Sequence, residues 1–135
     1  MIHIVHVISD LDAGGAEVML AKLVRGMDGA RFSNTVVSLT DEGQLGEQIK
    51  SSGVAVHTLG MKRGRPDVSA LPKLLRLLKV IRPTIVQSWL YHADLLSTLA
   101  VKLAGSPTLI WNVRCSDMDL TRYSALTQWT QKILA

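Results

Sequence analysis

Ile4-Val5-His6-Val7-Ile8-Ser9-Asp10-Leu11-Asp12-Ala13-Gly14-Gly15-Ala16-Glu17 runs from an apolar, β-branched segment through a polar turn with two adjacent glycines into a helical pattern. The run Met1–Ser9 reads as a strand, because Ile and Val fit a pleated, packed surface. The segment Ala16–Met27 reads as a helix: Ala16, Met19, Leu20, Leu23, Val24 and Met27 recur at the spacing of one helical face. Strand, glycine turn and helix in succession form the first half of a βαβ unit.

The same alternation continues outward. Asn34–Thr40, Val54–Leu59, Thr84–Ser88 and Leu109–Val113 read as strands. Gln44–Ser52 reads as a short helix with Gly53 as its stop. Ser69–Ile81 carries Leu71, Leu74, Leu75, Leu78 and Ile81 on one stripe, with Pro72 in the first turn and Pro83 past the end. Tyr91–Ala104 is a helix expected to face inward through Leu95, Leu96, Leu99, Ala100 and Leu103, closed by Gly105. Leu120–Leu134 is a last, less cleanly patterned helix. The expected fold is α/β: a three-layer, doubly wound, Rossmann-like parallel sheet of strand order 3-2-1-4-5.

The 135 residues suffice for one domain, 1–135, with a sizeable core. Hydrophobic residues are 47% and charged residues 19%, which excludes a disordered chain. No apolar run reaches the ~20 residues that span a bilayer, and Met1–Ile8 lacks the pattern of a signal peptide. Cys115 is the single cysteine, so there is no disulfide framework and a cytoplasmic location is expected. The net charge of +4 suits an acidic ligand, a membrane surface or nucleic acid, or serves solubility alone.

In a doubly wound sheet, ligands bind beyond the carboxyl ends of the strands at the switch point, here between the first and fourth strands. That rule selects the loops Ser9–Gly15, Ser88–His92 and Arg114–Asp117. Gly14 and Gly15 permit positive φ and close ligand approach, and the helix behind them presents free N–H groups to an anion. The turn matches neither G-x-G-x-x-G nor a Walker motif, so packing of helix on sheet is an equal reading. Glu17 suits helix capping or the dipole.

Trp89 and Tyr91 are able to stack on a sugar or base, or to seal the core edge. His92 can serve as donor or base, or simply start a helix. Arg114 can clamp a phosphate or carboxylate, or pair with Asp117 or Asp10. Cys115 has no adjacent base and reads as packing, and His3, His6 and His57 as core or edge residues. Metal-ligand spacing is absent. The helix Ser69–Ile81 bears Lys73, Arg76 and Lys79, followed by Arg82 and preceded by Lys62, Arg63 and Arg65. It is either an ordinary solvated face or a peripheral contact with an anionic membrane. Nucleic acid is not expected, since no reader motif is seen.

Ile4-Val5-His6-Val7-Ile8 followed by Leu11-Asp12-Ala13-Gly14-Gly15-Ala16-Glu17 resembles the opening of the N-terminal domain of family 4 glycosyltransferases. Arg82-Pro83-Thr84-Ile85-Val86-Gln87-Ser88-Trp89 with Tyr91-His92-Ala93-Asp94-Leu95-Leu96 is similar to their fourth strand and following helix. Leu109-Ile110-Trp111-Asn112-Val113-Arg114 is similar to their fifth.

The resemblance implies a GT-B architecture of two Rossmann-like domains, with the acceptor on this one. A donor-binding domain with paired glutamates would lie on the other. It implies retaining transfer from a nucleotide sugar (a UDP- or GDP-sugar as co-substrate) without a metal or cofactor. The acceptor would be a saccharide or a lipid-linked molecule, in surface polysaccharide or glycolipid synthesis.

Gly14 and Gly15 would contact the donor diphosphate. Asp12, Trp89, Tyr91, His92, Arg114 and Asp117 would line the cleft. Many members end the fifth strand with a histidine that contacts the donor sugar; Arg114 stands there in this chain, so Arg114 and His92 are the candidates for that role. The donor domain and the end of the first domain are expected to lie beyond Ala135. The chain alone is therefore expected to be inactive, located at the inner face of the cell membrane or free in the cytoplasm, and prone to self-association through its uncovered face. The rival readings are a stand-alone phospho-ligand binding module and part of a sugar-nucleotide epimerase.

Overall fold

A computed structural model describes residues 1–63, 65, 67–105, 107–112 and 133 of the chain. Strand and helix alternate: β1 (Ile2–Ile8), α1 (Gly15–Gly26), β2 (Phe32–Ser38), α2 (Gly46–Ser51), β3 (Ala55–Thr58), α3 (Ala70–Ile81), β4 (Ile85–Trp89), α4 (Tyr91–Leu103) and β5 (Thr108–Asn112). The five strands form one parallel sheet in the order β3-β2-β1-β4-β5, as expected. The expected fifth strand ran to Val113, and Val113 and the expected helix Leu120–Leu134 lie outside the described residues.

β1 is the central strand because it is apolar toward both faces, as a doubly covered parallel strand must be. Val5 and Val7 join Val37, Leu74, Leu78 and Val86 in one core layer, under α3 and α4. Ile8 joins Val36, Leu20, Val24 and Ile49 in the other, under α1 and α2. The register pairs Ile8 with Ser38 on one side and with Trp89 on the other. The loops after β1 and β4 therefore leave the sheet side by side, which defines the switch point.

Two helices are seated differently from the expected faces. α1 buries Ala16, Glu17, Leu20, Ala21 and Val24, while Met19 and Leu23 are exposed. α4 buries Ala93, Asp94, Ser97, Ala100 and Val101, while Leu99 and Leu103 face outward. Leu96 is half-buried against the α3 side of the core. In α4 the face on the sheet carries the small side chains Ala93, Ser97 and Ala100, which let a helix pack closely, whereas α1 still buries Leu20 and Val24 beside Ala16 and Ala21. Hydrophobicity alone ranks Leu above Ala and Ser, so periodicity pointed to the leucine stripe instead.

α3 behaves as expected, burying Leu74 and Leu78. It ends at Arg82, which takes the left-handed conformation (φ 50°) just before Pro83. Gly53 and Gly105 follow α2 and α4 with φ of 85° and 96°, as residues that turn a chain out of a helix.

Candidate functional site

The glycine turn is held by its neighbours. Asp10 Oδ1 accepts from the Asp12 N–H at 3.1 Å, and the Gly14 N–H donates to the Asp12 carbonyl at 2.8 Å. The loop after β2 clasps it from the side: the Leu45 N–H donates to the Leu11 carbonyl at 2.9 Å, and the Thr40 hydroxyl to the Ser9 carbonyl at 3.2 Å. Gly43 makes that approach possible. It sits at φ +53°, and a Cβ there would fall 2.5 Å from the Leu11 carbonyl carbon and 2.7 Å from the Asp12 nitrogen. Backbone lies against backbone, so only glycine fits.

Gly14 and Gly15 do not use the positive φ that glycine permits; Gly14 is extended, with φ −112° and ψ 179°. Gly15 opens α1, and a side chain there would meet nothing within 4 Å among the described residues. It is the more approachable of the pair.

The turn is rich in carboxylates. Asp12 pairs with Arg63, from the loop after β3, and Arg63 Nη2 also lies 3.5 Å from Asp10 Oδ1. Among the described residues, Arg63 is the cation paired with Asp10 and Asp12. Nothing in spacing marks Arg63, because its partners lie about fifty positions away in the chain. Glu17 is 8% exposed. Burial raises its pKa, Asp10 and Asp12 raise it further, and its own backbone N–H and Arg63 oppose the rise.

Trp89 requires a correction. It was expected in the cleft, yet it is 1% exposed and packs among Ile8, Leu11 and Leu20. As the last residue of β4 in register with Ile8, it points into the α1 layer, so it cannot stack on a ligand. Its neighbour Leu90 carries φ 75° and ψ 158°, a region that is nearly glycine-only. This strained junction delivers Tyr91 and His92 to the start of α4. Both are half-buried and engaged by other groups. Burial lowers the pKa of His92, which favours the neutral ring.

Beneath them, Asp94 is 1% exposed in the first turn of α4 and accepts a hydrogen bond of 2.5 Å from the Ser88 hydroxyl. Burial pushes its pKa up to about 6 against that bond. Arg114, Cys115 and Asp117 lie outside the described residues.

Among the described residues, no group of three or more His, Cys, Asp or Glu side chains is placed to hold a metal ion. No helix among them is long and apolar enough to cross a membrane. A groove of about 420 Å³ lies between the ends of α3 and α4, lined by Leu78, Lys79, Arg82, Pro83 and Gly105 among others. It sits at the amino-terminal edge of the sheet, away from the turn.

The family described as Glycosyltransferase Family 4 matches residues 13–135. No curated protein sequence matches the chain. Among solved structures, the conserved protein TT1542 from Thermus thermophilus is 23% identical with a TM-score of 0.57, over 87% of this chain and 69% of that one. The lipopolysaccharide outer core galactosyltransferase WaaB, in its apo form, is 13% identical with a TM-score of 0.60 over 82% of this chain. This chain covers 32% of the length of the WaaB chain.

Proposed function

The chain belongs to glycosyltransferase family 4, and from that premise we propose that it forms the acceptor-side half of a retaining transferase of hexosyl type. The donor is a nucleotide-activated sugar, UDP- or GDP-linked. The acceptor is a saccharide or lipid-linked molecule of surface polysaccharide or glycolipid synthesis. The observation that carries this is the open face of Gly15 at the switch point, where the helix N-terminus of α1 offers N–H groups to a phosphate. Tyr91 and His92 open α4, which leaves β4 at the same end of the sheet as the turn leaves β1. A neutral His92 suits acceptance of a proton or a hydrogen bond from a sugar hydroxyl, with Arg114 as the second candidate for a donor contact.

The outer face of α3 supports a peripheral membrane contact. Lys73, Arg76, Lys79 and Arg82 are exposed there, and no acidic residue occurs between Asp67 and Asp94. Val80, 77% exposed, adds an apolar contact on the same face. A lipid-linked acceptor would meet the cleft from that surface.

The test is a screen of the purified protein, together with its donor domain, against UDP- and GDP-sugars and saccharide or polyprenyl-linked acceptors. Transfer with retention at the anomeric carbon is expected. Binding of phosphorylated ligands without any turnover would favour a non-catalytic binding module, and inversion would exclude the retaining mechanism.

A further inference from the structure

Gly14 and Gly15 differ in what stands over them. Among the described residues, a Cβ at Gly15 would meet nothing within 4 Å, whereas one at Gly14 would fall 2.4 Å from Oε2 of Glu17. Extended backbone at Gly14 suits any residue, so its φ does not call for glycine. The missing side chain instead makes room for a carboxylate of the chain itself.

Glu17 is the third residue of α1, and its carboxylate accepts from its own backbone N–H. That N–H is one of the donors that a helix start leaves without an intrahelical partner. The charged groups acting on Glu17 are Asp10 and Asp12 from its own loop and Arg63 from the loop after β3. Three carboxylates thus share one arginine at a turn that would receive a diphosphate. Like charges gathered at one turn do not all remain ionised without cost, and burial of Glu17 sharpens the conflict.

We propose that Glu17 is the resident anion of this turn, and that a diphosphate arriving over Gly14 and Gly15 binds with the Glu17 carboxyl protonated, so that binding takes up a proton. This rests on the reading of the turn as the donor-diphosphate site. The proton comes from solvent and converts the carboxylate to the neutral acid; no covalent bond changes. Burial and the neighbouring carboxylates already raise the proton affinity of Glu17, and the charge of a diphosphate acts in the same direction. Donor affinity is thereby coupled to pH.

Calorimetry with inorganic diphosphate, in two buffers of different ionisation enthalpy, tests this on the wild type and on Glu17→Gln. At pH 7, Glu17→Gln is expected to bind roughly tenfold more tightly and to lose the extra proton uptake. The ligand's own protonation is common to both proteins and cancels in the comparison. The affinity gap is expected to close as the pH falls and the wild-type carboxyl is protonated anyway.

A ¹³C titration of the Glu17 carboxyl in the wild type reads the same coupling without any substitution: its midpoint should rise when diphosphate saturates the protein. An unmoved midpoint, or equal affinity and proton uptake in Glu17→Gln, overturns the proposal. If sugar transfer occurs while Glu17→Gln behaves as wild type, the coupling alone fails. If the Glu17 coupling appears but no donor is turned over, the transferase reading alone fails.

Discussion

The Trp89 indole N–H points at Nδ1 of His6, 3.4 Å away across the α1 side of the sheet, and His6 Nε2 lies 3.0 Å from Asn34 Oδ1. The two contacts are mutually consistent only if Nε2 carries the proton and donates to Asn34. His6 is fully buried, and burial depresses its pKa below 6.5, so the ring is held neutral. An aromatic residue that looked like a ligand platform is thus part of the core's polar network.

Trp89→Phe keeps an aromatic ring but removes the donor and part of the volume. A loss of roughly 1–3 kcal/mol is expected from the unpaired His6 nitrogen and the space left behind. Chemical denaturation measures it. Donor and acceptor KM should change little, because the indole does not reach the cleft; a selective rise in KM without loss of stability would return Trp89 to the site.

Asp94 gives a pH signature. Its pKa rises from 3.8 to about 6 on folding, so the native state holds this proton more tightly than the unfolded chain does. The resulting cost is absent below pH 3.8, grows between there and about 6, and is full above that. Asp94→Asn should therefore be more stable than wild type at pH 7, by up to about 3 kcal/mol. The gap should shrink as the pH falls through the acidic range. His6 titrates in the opposite sense, losing stability as the pH falls, but equally in both proteins. Thermal melts from neutral to acidic pH check this, and a pH-independent gap would refute it.

Leu90 should invert the usual order of substitutions. At φ 75° and ψ 158°, a Cβ is strained and glycine is not. Leu90→Gly is expected to be more stable than Leu90→Ala by about 1–2 kcal/mol, although glycine normally loses to alanine through chain entropy. Equilibrium unfolding of the two variants decides it.

The basic face of α3 predicts salt-sensitive binding to vesicles that contain anionic lipid. Arg76→Glu with Lys79→Glu should weaken it at least about tenfold, since each basic residue near such a surface contributes roughly 1 kcal/mol. Cosedimentation with anionic and with neutral vesicles measures this. Equal binding to both vesicle types would show that charge is not the cause.

The sequence by itself determined the element order, the parallel sheet and its strand order. Those follow from β-branched runs alternating with helical periodicity and from the handedness of crossovers, all of which are local or nearly so. It also located the glycine turn and the loop after β4 at the switch point.

What it did not determine was which way side chains face when a helix has two apolar stripes. Tertiary packing chose the small residues Ala93, Ser97 and Ala100 over the leucines of α4, because close approach to the sheet depends on size as well as hydrophobicity. The charge balance of the site was likewise decided at a distance. Arg63 meets Asp10 and Asp12 only because β3 lies two strands away from β1. Trp89 turned inward because its register beside Ile8 assigns it to the buried face. Even the glycines that marked the turn were divided in role by the fold: Gly15 lies open, and Gly14 makes room for the carboxylate of Glu17.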